Sequence, residues 1–202
     1  MRTSEGEKVR GATPKLTAVK HELPDWVEMR IKELSRDGDE HNLARTLNSE
    51  LHAAGLNCNW ENPSERCPEW IYLGYVSDIQ LRRSGDFLIL ITGVGIECGF
   101  DDSAYLYGWS PEGWRRVWQN EQNEYTEDKY LPQSLVAVEV SSYSPANDYL
   151  VMTLGRQPWC QSNWHDVYYR IFRPGGEPEA TPCWLTEGTM RSWGAFGPLP
   201  ER

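Results

Sequence analysis

Two stretches of the chain, "GDFLILITGVGIECGFDDSAYLYGWSPEG" and "NDYLVMTLGRQPWCQSNWHDVYYRIFRPGG", can be laid over one another with a single inserted residue. Asp86, Phe87, Leu88, Ile89, Gly93 and Cys98 match Asp148, Tyr149, Leu150, Val151, Gly155 and Cys160 at a constant offset of 62. Beyond the insertion, Tyr105, Trp109, Pro111 and Gly113 match Tyr168, Phe172, Pro174 and Gly176 at an offset of 63. A repeat constrains the fold strongly, because each copy must be one supersecondary unit that buries its apolar face against a neighbour. Short alternating or apolar runs broken by Gly, Pro, Asn and Asp make each copy a four-stranded antiparallel meander, the size and order of a propeller blade. Two blades cannot close a ring, since closed propellers have about four to eight. The expected fold is therefore mainly β: two four-stranded antiparallel meanders packed together, with an N-terminal α-helical pair.

The helices come from the apolar spacing ahead of residue 70. In "LPDWVEMRIKEL", Val27, Ile31 and Leu34 fall at i, i+4 and i+7 with Trp26 on the border, and Pro24 suits a first helical turn. In "DEHNLARTLNSELHAAG", Leu43, Leu47 and Leu51 form one stripe between an N-cap at Asp39 and a stop at Gly55. The expected organisation is a flexible polar arm over 1–22, the helical pair and a loop over 23–69, and a β domain over 70–202. The repeats in that domain cover about 75–133 and 134–195.

One hairpin has a precedent. "WSPEGWRRVW" resembles the Asp-box hairpin of sialidases and other propellers, in which Ser, Asp, Gly and Trp tighten the turn between a blade's outer strands. Glu112 stands where the motif has its aspartate, and Gly113 and Trp114 follow at compressed spacing. What the resemblance implies is structural, since a shared turn does not carry sialidase chemistry.

Charge and composition narrow the function classes. Hydrophobic residues at 39% and aromatics at 12% indicate a folded chain. A net charge of -10 opposes binding to a nucleic-acid backbone, which draws its affinity from Lys and Arg. The longest apolar run, "DFLILITGVGI", is strand-sized, so no membrane span is expected. No apolar run follows the N-terminal basic residues, so no signal peptide is visible.

Five cysteines allow two disulfides and one spare thiol. Cys98 and Cys160 hold equivalent places in the two copies, so a bridge between them is the economical expectation; Cys58 and Cys67 form a possible second pair, leaving Cys183. That pattern favours an extracytoplasmic (secreted or periplasmic) location, with cytoplasmic as the alternative. Cys160 with His165 could instead be a nucleophile pair, and Cys98, Cys160 and His165 with Asp101 or Asp166 a zinc set. Neither carries a recognised spacing, so no metal, no cofactor and no catalytic residue are expected.

Asp101 and Asp102 offer a general acid and base or calcium ligands, against the plainer reading of solvated turn formers. Trp159 and Trp164, beside Gln161, Asn163 and His165, could line a recognition groove, whereas Trp109, Trp114, Trp118, Tyr168 and Tyr169 are expected mostly between the sheets. The preferred function is a non-enzymatic binding or structural module that recognises a carbohydrate or protein through aromatic loops. The alternatives are a hydrolase using Asp101, Asp102 and Asp166, with or without a metal, and an acidic inhibitor or immunity-type protein.

Overall fold

The computed structural model describes residues 13–57, 75–96, 99–121, 133–143, 148–156, 164–174 and 183–193. Two helices, α1 (Thr13–Lys32) and α2 (Glu40–Ala53), precede eight strands. These are β1 (Gln80–Ser84), β2 (Phe87–Ile96), β3 (Gly99–Ser110), β4 (Gly113–Asn120), β5 (Ser134–Val140), β6 (Val151–Arg156), β7 (Trp164–Arg173) and β8 (Cys183–Trp193). They form two four-stranded antiparallel sheets in simple chain order, β1-β2-β3-β4 and β5-β6-β7-β8. The protein is thus mainly β with an N-terminal helical pair, and neither sheet closes on itself.

The layers follow from which faces are apolar. Side chains alternate across a strand, so Leu88 and Leu90 of β2 lie on one face of the first sheet with Tyr105 and Tyr107 of β3. That face receives Leu23, Val27 and Ile31 of α1 and Leu47 and Leu51 of α2. Phe87, Ile89 and Ile91 lie on the other face with Ala104, Leu106 and Trp118, and meet Val138, Val151 and Phe172 of the second sheet. Every residue of β2 is buried. A strand covered on both sides reads as a continuous apolar run, which is why "FLILITGVGI" shows no alternation.

Polar contacts fix the seams. Asn48 of α2 imitates a strand partner for Ile79, donating from Nδ2 to its carbonyl (3.0 Å) and accepting its N–H (2.7 Å). Arg116 of β4 reaches α1, donating from Nε to Glu28 (2.8 Å) and from Nη2 to Asp25 (2.9 Å). Burial pushes the Glu28 carboxyl up, but its bonds to Lys32 and Arg116 outweigh that and hold it below the usual glutamate range. Arg82 on β1 donates to the Val138 carbonyl of β5 and sits 3.0 Å from Glu139, tying the two sheets together.

Two expectations need correction. Helix α1 begins at Thr13, so Thr13–Glu22 are helical rather than part of an arm, and Pro24 lies inside the helix rather than in its first turn. An interior proline removes one N–H and frees the Lys20 carbonyl. The apolar stripe that α1 lays on the first sheet overrides that local cost.

The second correction concerns register. Ile89 faces Leu106 across β2–β3, while Val151 faces Phe172 across β6–β7. The rung of Phe172 therefore corresponds to Leu106, three residues from Trp109, its match in sequence. Strand-like stretches rich in aromatics align with one another at several shifts, and hydrogen-bond pairing alone picks the register.

The turn expected from "WSPEG" joins β3 to β4. Ser110 Oγ donates to the Gly113 carbonyl (2.8 Å) and accepts the Glu112 N–H (3.3 Å), while Gly113 takes a φ of 106° that a side chain disfavours.

The two faces of α1 give the first test. Ile31 is fully buried against the first sheet, whereas Met29 is 59% exposed. Ile31→Ala is expected to lower the free energy of unfolding by about 2–5 kcal/mol in urea titrations, and Met29→Ala to change it by no more than about 0.5 kcal/mol. Equal effects would mean that α1 does not dock by this stripe.

Candidate functional site

Asp101 and Asp102 are consecutive residues of β3, not loop residues, and Asp101 is 0% exposed with Asp102 also buried. The reading of solvated turn formers is therefore wrong. Neighbours on a strand point to opposite faces, so Asp101 shares the helix-facing side with Tyr105, and Asp102 the side of Ala104 and Leu106. Asp101 Oδ2 accepts from Lys20 Nζ of α1 at 2.9 Å, and that lysine is only 2% exposed.

Both acids also receive the chain that enters β5. Asp101 Oδ1 accepts the Gln133 N–H (3.0 Å), and Asp102 Oδ2 accepts the Leu135 N–H (2.7 Å). The backbones add two more bonds. The Asp102 N–H donates to the Gln133 carbonyl (2.7 Å), and Gln133 Nε2 donates to the Asp102 carbonyl (3.0 Å).

Close packing requires glycine opposite Asp102. Gly93 is its rung partner, and a Cβ there would lie 2.3 Å from Asp102 Oδ1 and 2.7 Å from Ser77 Oγ. Gly155 is treated likewise in the second sheet: its rung partner Tyr168 would be 2.7 Å from an added Cβ.

Around the acids stands a polar shell. Arg170 of β7 lies over the Tyr168 ring, 4.8 Å from its centroid, and its Nη1 is 3.4 Å from Gln133 Oε1. Tyr105 donates to buried Glu121 (3.0 Å), whose other oxygen is 3.0 Å from His21 Nδ1.

Burial above all pushes the Asp102 carboxyl up to about 6; the Leu135 amide opposes the shift, and the Asp101 charge adds to it. Burial likewise raises the Tyr168 phenol to about 12, opposed by Arg170 and assisted by Asp101 and Asp102. Chemically, the arrangement is a lock. Three of the four carboxylate oxygens accept bonds from named protein donors, and Asp101 is closed to solvent with Asp102 nearly so. A general acid or base must instead come within about 3 Å of a substrate atom.

Other expected site residues fall elsewhere. Trp164 and His165 open β7 opposite Trp193 and Ser192, and Asp166 follows opposite Arg191. Trp159, Gln161 and Asn163 lie outside the described residues, as do both cysteine pairs, Cys98 with Cys160 and Cys58 with Cys67. Trp118 is buried between the sheets as expected, Trp114 is buried instead on the helix-facing side of the first sheet, and Trp109 is partly open at the β3–β4 turn. Among the described residues, no group of three His, Cys, Asp or Glu could hold a metal ion, and no helix is long and apolar enough to cross a membrane.

Two features escaped the sequence reading. Lys20 sits seven residues before Val27, on the same helical stripe, and that spacing was the available signal. The other is the outer face of the second sheet. Its rungs pair Ala137 with Leu154 and Tyr169, and Glu139 with Met152 and Ile171. Met152 is 38% exposed and the bulged Val136 43%, with Leu154, Tyr169 and Ile171 half-buried.

No protein-family model matches the chain, and neither a curated protein nor a solved structure does so.

Lys20→Met leaves a buried carboxylate without its cation and is expected to cost about 3–5 kcal/mol of stability. Adding Asp101→Asn, which keeps the acceptor for Gln133, should recover most of that loss in urea titrations. No recovery would mean that the pair is not coupled.

The pH dependence has an unusual sign. The folded-state value of Asp102 lies above the ordinary 3.8, so its contribution to stability is complete below pH 3.8 and lost as pH rises through about 6. Asp102→Asn should therefore stabilise the protein at pH 7.5, by up to about 3 kcal/mol, and leave it near wild type at pH 4. Thermal melts of both proteins across this range check it, and an Asn variant weaker at pH 7.5 contradicts it.

Proposed function

We propose that this chain is a non-enzymatic interaction module. In this reading the Asp101–Asp102 pair locks its scaffold, and the outer face of the second sheet is its contact surface. One observation carries the proposal: the first sheet is covered on both sides, by helices and by the second sheet, whereas the second presents Met152, Leu154, Tyr169 and Ile171 at least partly exposed over part of its outer side, with Val167 on the Arg156 rung buried. An antiparallel sheet with one wet face ordinarily carries polar residues there. β6 instead places Met152 and Leu154 at those positions, and Leu150 just ahead of it is exposed as well. Contiguous exposed apolar patches mark interaction sites in soluble proteins. A hydrolase built on Asp101 and Asp102 is disfavoured by their burial and by their bonds to Lys20, Gln133 and Leu135.

The blade-like repeat belongs to the same proposal. Two meanders in chain order, and a glycine beneath a cross-strand side chain at Gly93 and Gly155, support descent of both sheets from one unit. The three-residue difference in rung between Trp109 and Phe172 weighs against their match over β3 and β7.

The double variant Val136→Lys/Met152→Lys tests whether the face is open. Its melting temperature is expected within about 4 °C of wild type, as for exposed positions, together with reduced binding of an apolar dye. Loss of cooperative unfolding would mean that the face is internal core and would sink the reading.

A further inference from the structure

Lys20 of α1 and Asp101 of β3 are an amine and a carboxyl group held in contact away from water. The lysine is 2% exposed and the aspartate 0%, and the ammonium donates to Oδ2 at 2.9 Å. Both partners are braced. Leu23 and Val27 seat the next turns of α1 in the core, and His21, beside Lys20 in the chain, has its Nδ1 3.0 Å from the buried Glu121 carboxylate. Asp101 is fixed in turn by the Gln133 N–H, which donates to its Oδ1 at 3.0 Å.

This arrangement has the parts of an amide-forming step. Groups held in a reactive geometry behave as though present at effective concentrations of up to about 10⁵–10⁸ M. A proton passing along the 2.9 Å bond turns ammonium and carboxylate into amine and carboxylic acid, a neutral pair that costs less to keep buried. The Nζ lone pair then attacks Cγ of Asp101. Carbonyl electrons move onto Oδ1, where the Gln133 N–H already stands to stabilise the developing charge. One amine proton passes to the Oδ2 hydroxyl, the Cγ–Oδ2 bond breaks, Oδ2 leaves as water, and the Oδ1 electrons restore the carbonyl. The sum is ammonium plus carboxylate giving amide plus water, with no oxidant, reductant or further reactant. Exclusion of solvent opposes the reverse hydrolysis.

We propose that Lys20 and Asp101 condense within the folded protein into an isopeptide bond, which joins α1 to β3 across 81 residues of chain. The bond makes permanent one contact of the buried lock, and it does not depend on the outer face of the second sheet. A single donor on Oδ1 makes the step slow, so freshly folded protein carries the ion pair and aged protein the amide.

Mass spectrometry of the full chain, folded and aged for weeks in neutral buffer, tests this. The expected result is a progressive fall in intact mass by one water. Trypsin should then fail to cut after Lys20 and release peptide 16–30 joined to peptide 84–115, with fragment ions placing the bond at Asp101. Protein aged in guanidinium should be at least about tenfold less linked, because unfolding separates the two groups.

Lys20→Arg keeps a cation at the site without a nucleophilic amine and should retain its full mass, with melts confirming that it is folded. The wild-type peptide map decides the matter even if that variant unfolds. Full mass and normal cleavage after Lys20 in the aged wild type overturn the proposal. A lost water that persists in Lys20→Arg, or a bond that maps to Asp102, overturns it too, since the chemistry then lies elsewhere.

Discussion

The bonds from the Gln133 and Leu135 backbone amides to Asp101 and Asp102 set where the second sheet begins relative to the first. Apolar contact between the sheets supplies attraction, but it is not directional, and two apolar faces can slide over one another at little cost. Carboxylates that accept specific N–H groups at 2.7 and 3.0 Å do not slide. Through Lys20, Asp101 also holds the middle of α1, so helix, first sheet and second sheet meet at one buried polar point. The inter-sheet contacts of Phe87, Ile89, Trp118 and Phe172 then follow from a start that is already fixed.

That point is not where stability comes from. Taking two carboxylates and an ammonium out of water is costly, and a buried ion pair returns its desolvation only when nearly every lone pair is matched. Asp101 has Lys20 and Gln133; Asp102 has no cation of its own among the described residues and is driven toward its neutral form. The apolar layers on both sides of β2 carry the stabilising weight. What the acid pair contributes is uniqueness of arrangement, which polar networks provide when each member has a partner.

Much of this architecture is legible in the residues. The 3.6-residue stripes through Val27, Ile31 and Leu34 and through Leu43, Leu47 and Leu51 mark α1 and α2, and Asp39 caps α2 by accepting the Asn42 N–H. The alternation after residue 70 marks the strands, and "WSPEG" the β3–β4 turn. Periodicity reports which side of an element is apolar, but not which element covers it. Asp101-Asp102 therefore looks like a wet turn, because nothing local shows that Lys20, 81 residues away, supplies the counter-charge. Lys20 itself is hidden by its type: a lysine on an apolar stripe reads as the place where the stripe ends. Rung positions in β3 and β7 were beyond reach for a related reason, since a match between strands carries no hydrogen-bond pairing.

The two sheets also differ in how they obey the rules for a covered strand. β2 is apolar at consecutive positions and buried at all of them, so its composition agrees with its surroundings. β6 alternates in burial, yet of the three positions that alternation turns outward two hold Met152 and Leu154, and only the third, Arg156, is polar. Packing between the sheets does not require this, because Val151 and Thr153 already fill the inner side. Nor does solubility favour it in a chain whose surface is otherwise acidic. A pattern that meets the fold's demands on one face and departs from them on the other carries information about something other than folding.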